Sequence, residues 1–590
     1  MGRIGCQRRP GPSREGGRWY NRSGSALARN SVQPMGRIGK ERPLRGGDLL
    51  IECLKAQGVR AVFGMPGTQN LEIYDSLLRC GAGSIDHYLV RHEYAATQMA
   101  DGFARSTGEV GVALTVPGPG ASNASTGILE AYTDCVPVLL ITGQSDSRFY
   151  DKHQTKMFHG LDQMKFFEPI TKYRAIARTV RQIPEVVEGA FKAMRSGRPG
   201  PAVLEFPMDV VRADGNPDIP GYVRGSRSPA AADGDLRAAA REIDRASRPV
   251  CLVGSAVIHS GAQAELRRLI EKIQAPVVVT RCAKGALDEN HPLALRGSNG
   301  YLAREALELA DATLAIGCRF TSIDTNNWRL KLPQPLIQLD EDEREIGSEY
   351  PCELGVVGDL KATLQGLVEE VEQRPRRWEQ ALAIPRARFA AQRPLPLLGD
   401  IRQVLPDDGI LSVDVHSIGY SAFDEYLVDR PRTFLYPCIG VALGYGYPAA
   451  IGAKVGCPDK PVVCFSGDGG FLMGMAELAT AVRYGIPLVA VVVNDQALTA
   501  IKGSQRKSHQ GRVIGTDLTN PNFAEMARSF GAAGKRVRSL RQFKGVLEEA
   551  LAARQPSVIE VPMRDDDQQL TEAITWLRSR PLRRLQEPSG

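Results

Sequence analysis

From Gly46 onward, apolar residues fall in two rhythms that alternate along the chain. "GDLLIECLKAQGV" spaces them as on one face of a helix, "AVFGMPG" is a short apolar run ending in a Gly-Pro loop, and "HEYAATQMADGFARSTG" is again helical. "VGVALTVPGPGASNASTGILEAYTD" predicts a strand, a tight Gly/Pro turn and a helix, and "VPVLLITG" a further buried strand. Continuous apolar strands alternating with helices predict parallel sheets covered by helices.

The rhythm breaks twice. "ADGNPDIPGYVRGSRSPAAADGD" is rich in Pro, Gly, Ser and Ala and predicts a linker. A second α/β unit follows with "PVCLVGSAVIHSG", "APVVVTRCAKGALDENHP" and "DATLAIGCRF". Prolines then interrupt "EQRPRRWEQALAIPRARFAAQRPLPLLGD", and a third unit runs from "DGILSVDVHSIGYSAF" to "PSVIEVPMRDDDQQ". The expected organisation is a tail over 1–44, a domain over 45–212, a linker over 213–234, a central domain over 235–372, a linker over 373–396, a third domain over 397–565 and a tail over 566–590.

Length agrees with this partition, because 590 residues exceed what one core organises. The net charge of +7 is supplied largely by the Arg-rich segment Gly2–Arg45, and the remainder is close to balanced. That argues against a nucleic-acid-binding face. The same segment lacks the apolar stretch of a secretory signal. "MGRIG" occurs at Met1 and again at Met35, so a true start at Met35 or a disordered tail is favoured over an organellar transit peptide, which the Arg-rich, acid-poor composition also resembles. Eleven scattered cysteines without a C-x-x-C pair predict buried reduced thiols in a cytoplasmic protein. No apolar run approaches the roughly 18 to 20 residues that span a bilayer, so no membrane association is expected.

The candidate chemistry lies in "VVCFSGDGGFLMGMAELATAVRYGIPLVAVVVNDQ", Val462 to Gln496. One strand delivers Asp468, between Gly467 and Gly469, to the carboxyl edge of a parallel sheet, where α/β proteins bind ligands. The glycines allow close backbone approach, and the next helix offers its first amides to an anion. Phe471, Met475, Leu478, Ala479 and Val482 keep helical spacing, and "IPLVAVVVND" brings Asp495 back to the same edge. Two carboxylates there call for a cation, and Mg²⁺, an oxygen-seeking ion that bridges carboxylates to phosphate, fits. There is no G-x-x-x-x-G-K-[ST], so a phosphate is not held as in a P-loop.

The whole span resembles the motif of thiamine diphosphate-dependent enzymes. The resemblance implies that Mg²⁺ is bound by Asp468, Asp495 and the carbonyl of Ala497, with Gly467, Gly469 and Gly470 against the diphosphate; Asp495 stands where Asn is commoner. "VRHEYAATQMADGFARSTG" resembles the segment that places a glutamate, here Glu93, at N1′ of the aminopyrimidine. "VFGMPGTQNLEIYDSL", with Pro66 and Gly67, and "TVPGPGASNASTGILEAYTDCVPVLLITGQ", with Asn123, resemble the pyrimidine-binding domain of acetolactate synthase-like members. "VALGYGYPAAIGAKVG" resembles the segment that bends the cofactor, which implies Leu443 as the wedge and the Val441 carbonyl as acceptor for the 4′-amino group. The implied architecture is pyrimidine-binding, central and diphosphate-binding domains in a homodimer or dimer of dimers. Glu93 of one subunit would then face Asp468 and Asp495 of another.

The implied activity is decarboxylation of a 2-oxo acid, followed by carboligation to a second carbonyl or release of the aldehyde. Three departures set the chain apart from biosynthetic acetolactate synthases: "GCRFTSIDTNNW" for Arg-Phe-Asp-Asp-Arg, Ser504 for a Trp, and His159 in "KMFHGLD" for a Gln. His159 and His416 are candidate proton-handling residues, and Lys502 and Asn123 are candidate substrate contacts. "CLVGSAVIHSG" is a poor G-x-G-x-x-G, so FAD is not favoured. The alternatives are a thiamine diphosphate-dependent lyase or hydrolase on another carbonyl compound, and a non-catalytic interaction protein of the same fold.

Overall fold

The computed structural model describes residues 44–563 apart from 224, 226–227, 299, 376–377, 384 and 387–394. The expected tails lie outside these residues, save Leu44, as does the proline-rich part of the second expected linker.

Each apolar run becomes a strand. The first domain carries β1 (Leu44–Arg45), β2 (Ala61–Gly64), β3 (Asp86–Leu89), β4 (Gly111–Thr115), β5 (Val138–Gln144), β6 (Tyr173–Ile176), β7 (Ala202–Pro207) and β8 (Asp214–Gly215). Strands β2 to β7 form one parallel sheet in the order β3-β2-β4-β5-β7-β6. The central domain holds β9 (Pro249–Val253), β10 (Val277–Val279), β11 (Ala294–Gly297), β12 (Ala312–Ile316), β13 (Leu336–Asp340) and β14 (Leu354–Val357), parallel in the order β11-β10-β9-β12-β13-β14. The third holds β15 (Ile410–Val413), β16 (Phe434–Leu435), β17 (Val462–Gly467), β18 (Val489–Asn494), β19 (Ala533–Arg536) and β20 (Ser557–Pro562), parallel in the order β16-β15-β17-β18-β20-β19. Counted within each domain, the first and third sheets share one order, 2-1-3-4-6-5, while the central one runs 3-2-1-4-5-6.

These two matching sheets are joined through equivalent helices. The helix Glu93–Thr107 follows the second strand of the first sheet, and the helix Gly446–Gly456 follows the second strand of the third. They cross so closely that a Cβ on Gly102 would lie 2.1 Å from the Ala449 carbonyl oxygen, and one on Gly452 1.8 Å from that of Met99. One apolar cluster, including Met99, Phe103, Tyr445, Ile451 and Phe471, therefore runs through both domains.

Three elements differ from the sequence reading. The first residues of the expected first linker form β8, which pairs antiparallel with β1, and the Gly221 carbonyl accepts from Gln57, so the linker starts by closing the first domain. Trp378, in the second expected linker, is buried and donates to the Pro249 carbonyl, because the central core needs an aromatic cover at that end. The single helix expected after Asp468 is two, Asp468–Gly474 and Leu478–Tyr484, joined by a 3₁₀ turn at Met475–Glu477. At that turn the Glu477 carboxylate leaves its helix to accept from the amides of Arg91 and His92, at 2.9 and 3.2 Å.

Candidate active site

In the two matching sheets the strand order reverses between the first and third strands, β2 and β4 in one and β15 and β17 in the other. Such a reversal opens a crevice at the carboxyl ends of the strands. Both crevices carry the residues singled out in the sequence.

At the first edge, Pro66 and Gly67 follow β2, and a Cβ on Gly67 would lie 2.4 Å from Val116 Cγ1, just past β4. The His92 side chain caps the next helix by accepting from the Tyr94 amide, so the helix begins at Glu93. Asn123 Nδ2 donates to Glu93 Oε2 at 3.1 Å, so the residue marked as a substrate contact orients the glutamate. Gly120 leaves open the space beside Glu93 Oε1, which a Cβ there would approach to 3.2 Å. His159 closes this corner: its backbone packs on Gly118, its Nδ1 is buried without a partner among the described residues, and the Phe158 ring stacks on it at 3.9 Å.

At the third edge, β17 and β18 are adjacent and parallel, with Gly467 paired to Val493, so they deliver Asp468 and Asp495 side by side. Asp468 Oδ2 accepts from the Gln496 amide at 2.8 Å and from Asn520 Nδ2 at 2.6 Å. Burial, and then the charge of Asp495, push Asp468 up to about 6. Asp495 accepts from the Thr499 hydroxyl, and Ala497 lies in the turn that follows, bridged to Asp517. Asn520 Oδ1 is buried here without a partner among the described residues. Carboxylates and amide oxygens at one point make a hard-cation donor set, so the residues fit Mg²⁺.

The remaining predicted residues have defined neighbours. His416 packs against Gly467 and edge-on to Phe465; burial pushes it down to about 3, so its imidazole is neutral near pH 7, and its Nε2 is buried without a partner among the described residues. The Lys502 ammonium is ion-paired with the exposed Asp517.

The segment Gly440–Gly446 joins the two edges. Val441 has φ 51°, a left-handed conformation costly for a β-branched residue. It is fixed from both sides. Glu130 of the first domain accepts from the Ala442 amide at 3.1 Å, and the Tyr94 hydroxyl donates to the Leu443 carbonyl at 2.9 Å. From the third domain, the fully buried Asp414 accepts from the amides of Gly444 and Gly446, both at 3.0 Å, from Val415 at 2.7 Å and from the Ser466 hydroxyl at 3.2 Å. Burial raises Asp414 and, aided by Asp134, pushes Glu130 well above the carboxylate range.

Sequence reading missed Glu130, Asp414, Glu477 and Asn520. Asp414 ends the apolar run "GILSVD" as Asp468 ends its own, a signal that was available. The other three act across long sequence separations and left no local trace.

Comparison with known proteins now decides the family. The thiamine pyrophosphate enzyme N-terminal TPP binding domain matches residues 44–166, the central domain 236–367 and the C-terminal TPP binding domain 417–561. A probable acetolactate synthase large subunit of Methanocaldococcus jannaschii is 34% identical over 91% of this chain and 96% of its own length. The chain belongs to the thiamine pyrophosphate enzyme family. An acetolactate synthase of Arthrospira platensis is 35% identical over 88% of this chain and 95% of its own length. The acetolactate synthase isozyme 3 large subunit of Escherichia coli K12 is 32% identical over 86% and 92%. As in that family, a pyrimidine-binding and a diphosphate-binding domain flank a central one, and among the described residues no helix is long and apolar enough to cross a membrane.

Proposed function

We propose that this protein is a cytoplasmic, Mg²⁺- and thiamine diphosphate-dependent enzyme that decarboxylates a 2-oxo acid and joins the remainder to a second carbonyl, as the names of its relatives suggest. The observation that carries this reading is the placing of Asp468 and Asp495 just past the ends of adjacent parallel strands of one sheet, with Glu93 at the matching crevice of its sister sheet.

Bound thiamine diphosphate supplies an electron sink for loss of CO₂. The chain supplies the rest. Asp468, Asp495 and the Ala497 carbonyl would hold Mg²⁺, with Gly467, Gly469 and Gly470 leaving room for the diphosphate. Glu93, oriented by Asn123, would hold the proton at N1′, and Leu443 and the Val441 carbonyl would line the cofactor between the two edges, the carbonyl as an acceptor for its 4′-amino group. Pro66 and Gly67 would form the backbone wall on the pyrimidine side. His159, with its unpartnered Nδ1, would handle a proton of the substrate or product.

The reading includes a homodimer or dimer of dimers in which Glu93 of one subunit completes the site of another. Apolar side chains left in solvent around both edges support it: Phe158 is 65% exposed, Met473 60% and Ile514 83%. The central domain is read as a scaffold with FAD not favoured, because the turn after β9, in "CLVGSAVIHSG", lacks a G-x-G-x-x-G.

His159 favours a second reading, a lyase or hydrolase on another carbonyl compound with the same cofactor. One experiment separates the two: CO₂ release from a panel of 2-oxo acids with Mg²⁺ and thiamine diphosphate, with products identified by mass spectrometry. A two-substrate adduct supports carboligation, aldehyde alone a decarboxylase, and no CO₂ from cofactor-loaded protein the second reading.

A further inference from the structure

Away from the cofactor residues, a partly open cavity of ≈ 60 Å³ lies where all three domains meet. Arg105 and Asp134 come to it from the first domain, Arg281 and Lys284 from the central one, and Arg432 and Tyr436 from the third. Four cations face one space, so what neutralises each of them matters.

Two are matched. Arg105 is ion-paired to Asp101 at 2.6 Å and to Asp134 at 2.9 Å, and Lys284 to Glu289 at 2.8 Å. The other two are not. The Arg432 guanidinium donates to the carbonyls of Arg105 and Ile258, at 3.2 and 3.4 Å, and burial lowers its pKa. Arg281 stacks on the Phe423 ring at 5.0 Å. Among the described residues neither has a carboxylate at ion-pairing distance. Tyr436 adds a second, independent vacancy of bonding: it is 1% exposed, and its hydroxyl has no hydrogen-bond partner among the described residues. Arg281 does feel the buried Asp324, which accepts from its amide at 2.9 Å, but the half-buried Arg432 guanidinium held by carbonyls alone and a buried hydroxyl without a partner each cost free energy that an accepting anion would recover.

A metal ion is the wrong complement. Asp134, Cys282 and Cys438 do bring ligand atoms within 4.8 Å of one another. Yet both Asp134 oxygens are already engaged, by Arg105 and by the amides of Cys438 and Ile439. The guanidinium groups around them would also repel a cation. The volume limits the anion: at about 15 Å³ for each water-sized group the cavity holds roughly four, which suits a tetrahedral oxyanion and excludes a dinucleotide.

We propose that this three-domain junction binds a small oxyanion of the size and charge of inorganic phosphate, held by Arg281, Arg432 and Tyr436. Its consequence lies nearby in sequence. Tyr436 and Cys438 lead directly into the strained Val441 and the wedge Leu443, so an anion at the junction steadies the segment that spans both edges of the active site.

The test is calorimetric titration of inorganic phosphate into protein saturated with Mg²⁺ and thiamine diphosphate, so that the cofactor site is filled. Saturable binding at one phosphate per chain is expected, weakened by about tenfold or more in Arg432→Gln and in Arg281→Gln, the scale of a lost charge-assisted hydrogen bond. Tyr436→Phe should weaken it by a smaller factor. Circular dichroism establishes that each variant is folded; if Arg432→Gln is not, Arg281→Gln, whose side chain stacks on Phe423 and is hydrogen-bonded to no carboxylate among the described residues, carries the test. Phosphate should also raise the thermal midpoint of the parent and leave that of the variant unchanged. Absence of saturable binding, equal binding by both arginine variants, or the same midpoint rise with chloride at equal ionic strength would overturn the proposal.

Discussion

The first and third domains have the same strand order and are joined by equivalent helices, yet their crevices carry different chemistry. After its third strand the first sheet has Val116-Pro117-Gly118-Pro119, neutral and rigid, whereas the third sheet has Gly467-Asp468-Gly469-Gly470. At the start of the helix after the second strand, the first has Glu93, and the third has the uncharged Tyr445-Gly446. The topology provides two like crevices, and on the proposed reading a few loop residues assign a proton to one and a cation to the other.

The sharpest break of that comparison removes one function and spares the other. Glu93→Gln should lower turnover by roughly 10²- to 10⁴-fold, while calorimetry shows the diphosphate still bound with Mg²⁺. Near-normal turnover would take Glu93 out of the chemistry. Asp468→Ala should do the opposite, weakening Mg²⁺-dependent cofactor binding by at least about 10²-fold, beyond the loss expected for an outer ligand. Unchanged affinity would refute the cation assignment. Mixing the two inactive variants asks which chains meet: if the site lies between subunits, a mixed dimer holds one intact site, and up to about a quarter of the activity returns after exchange. No recovery, with exchange confirmed by native mass spectrometry, would place Glu93 and Asp468 in one chain's site.

Both crevices were legible because their residues follow strands that are apolar throughout, such as Val462–Gly467 and Val489–Asn494, with glycine or proline marking the turns. The two-helix break at Met475–Glu477 was not, since helical spacing continues through it and only the distant amides of Arg91 and His92 draw Glu477 aside. The clamp on Gly440–Gly446 was hidden for the same reason: Glu130 and Ala442 are far apart in the chain and meet only when the two domains pack. His416 and Lys502 were visible as residue types, but the burial of one and the Asp517 partner of the other belong to the fold.

That clamp offers a smaller test, of stability rather than chemistry. Asp414→Asn keeps the shape but points an NH₂ at an amide that the carboxylate now satisfies. One buried donor left unpaired should cost about 1 to 3 kcal/mol, read as a lower denaturant midpoint with an unchanged slope. No loss would mean that the Gly444 and Gly446 amides have other acceptors.

The pH response of the third crevice follows from Asp468. Its pKa is raised in the folded state from 3.8 to about 6, so between those values the folded protein binds more protons than the unfolded chain. The Asp468 contribution to the stability of cofactor-free protein should therefore be lost as pH rises from about 4 to about 6. Mg²⁺ competes with the same proton, so its affinity should weaken as pH is lowered through about 6. Asp468→Asn should remove the Asp468 share of both trends, read as the difference between parent and variant, while the slope from Glu130, which burial and Asp134 also raise, remains in both.

The smallest effect expected is at the contact between the two edges. Tyr94 begins in the first domain and ends on the Leu443 carbonyl of the third, so Tyr94→Phe deletes one hydrogen bond and keeps the ring's packing. The loss of stability should be about 1 kcal/mol. If Tyr94 merely packs, turnover and cofactor affinity will follow that loss no further. If it also sets the position of the Leu443 wedge, cofactor affinity should drop severalfold at a temperature where the variant is fully folded, while the pH dependence set by Asp468 stays as in the parent. A drop in affinity without that unchanged pH profile would show that the two crevices are coupled through more than this one bond.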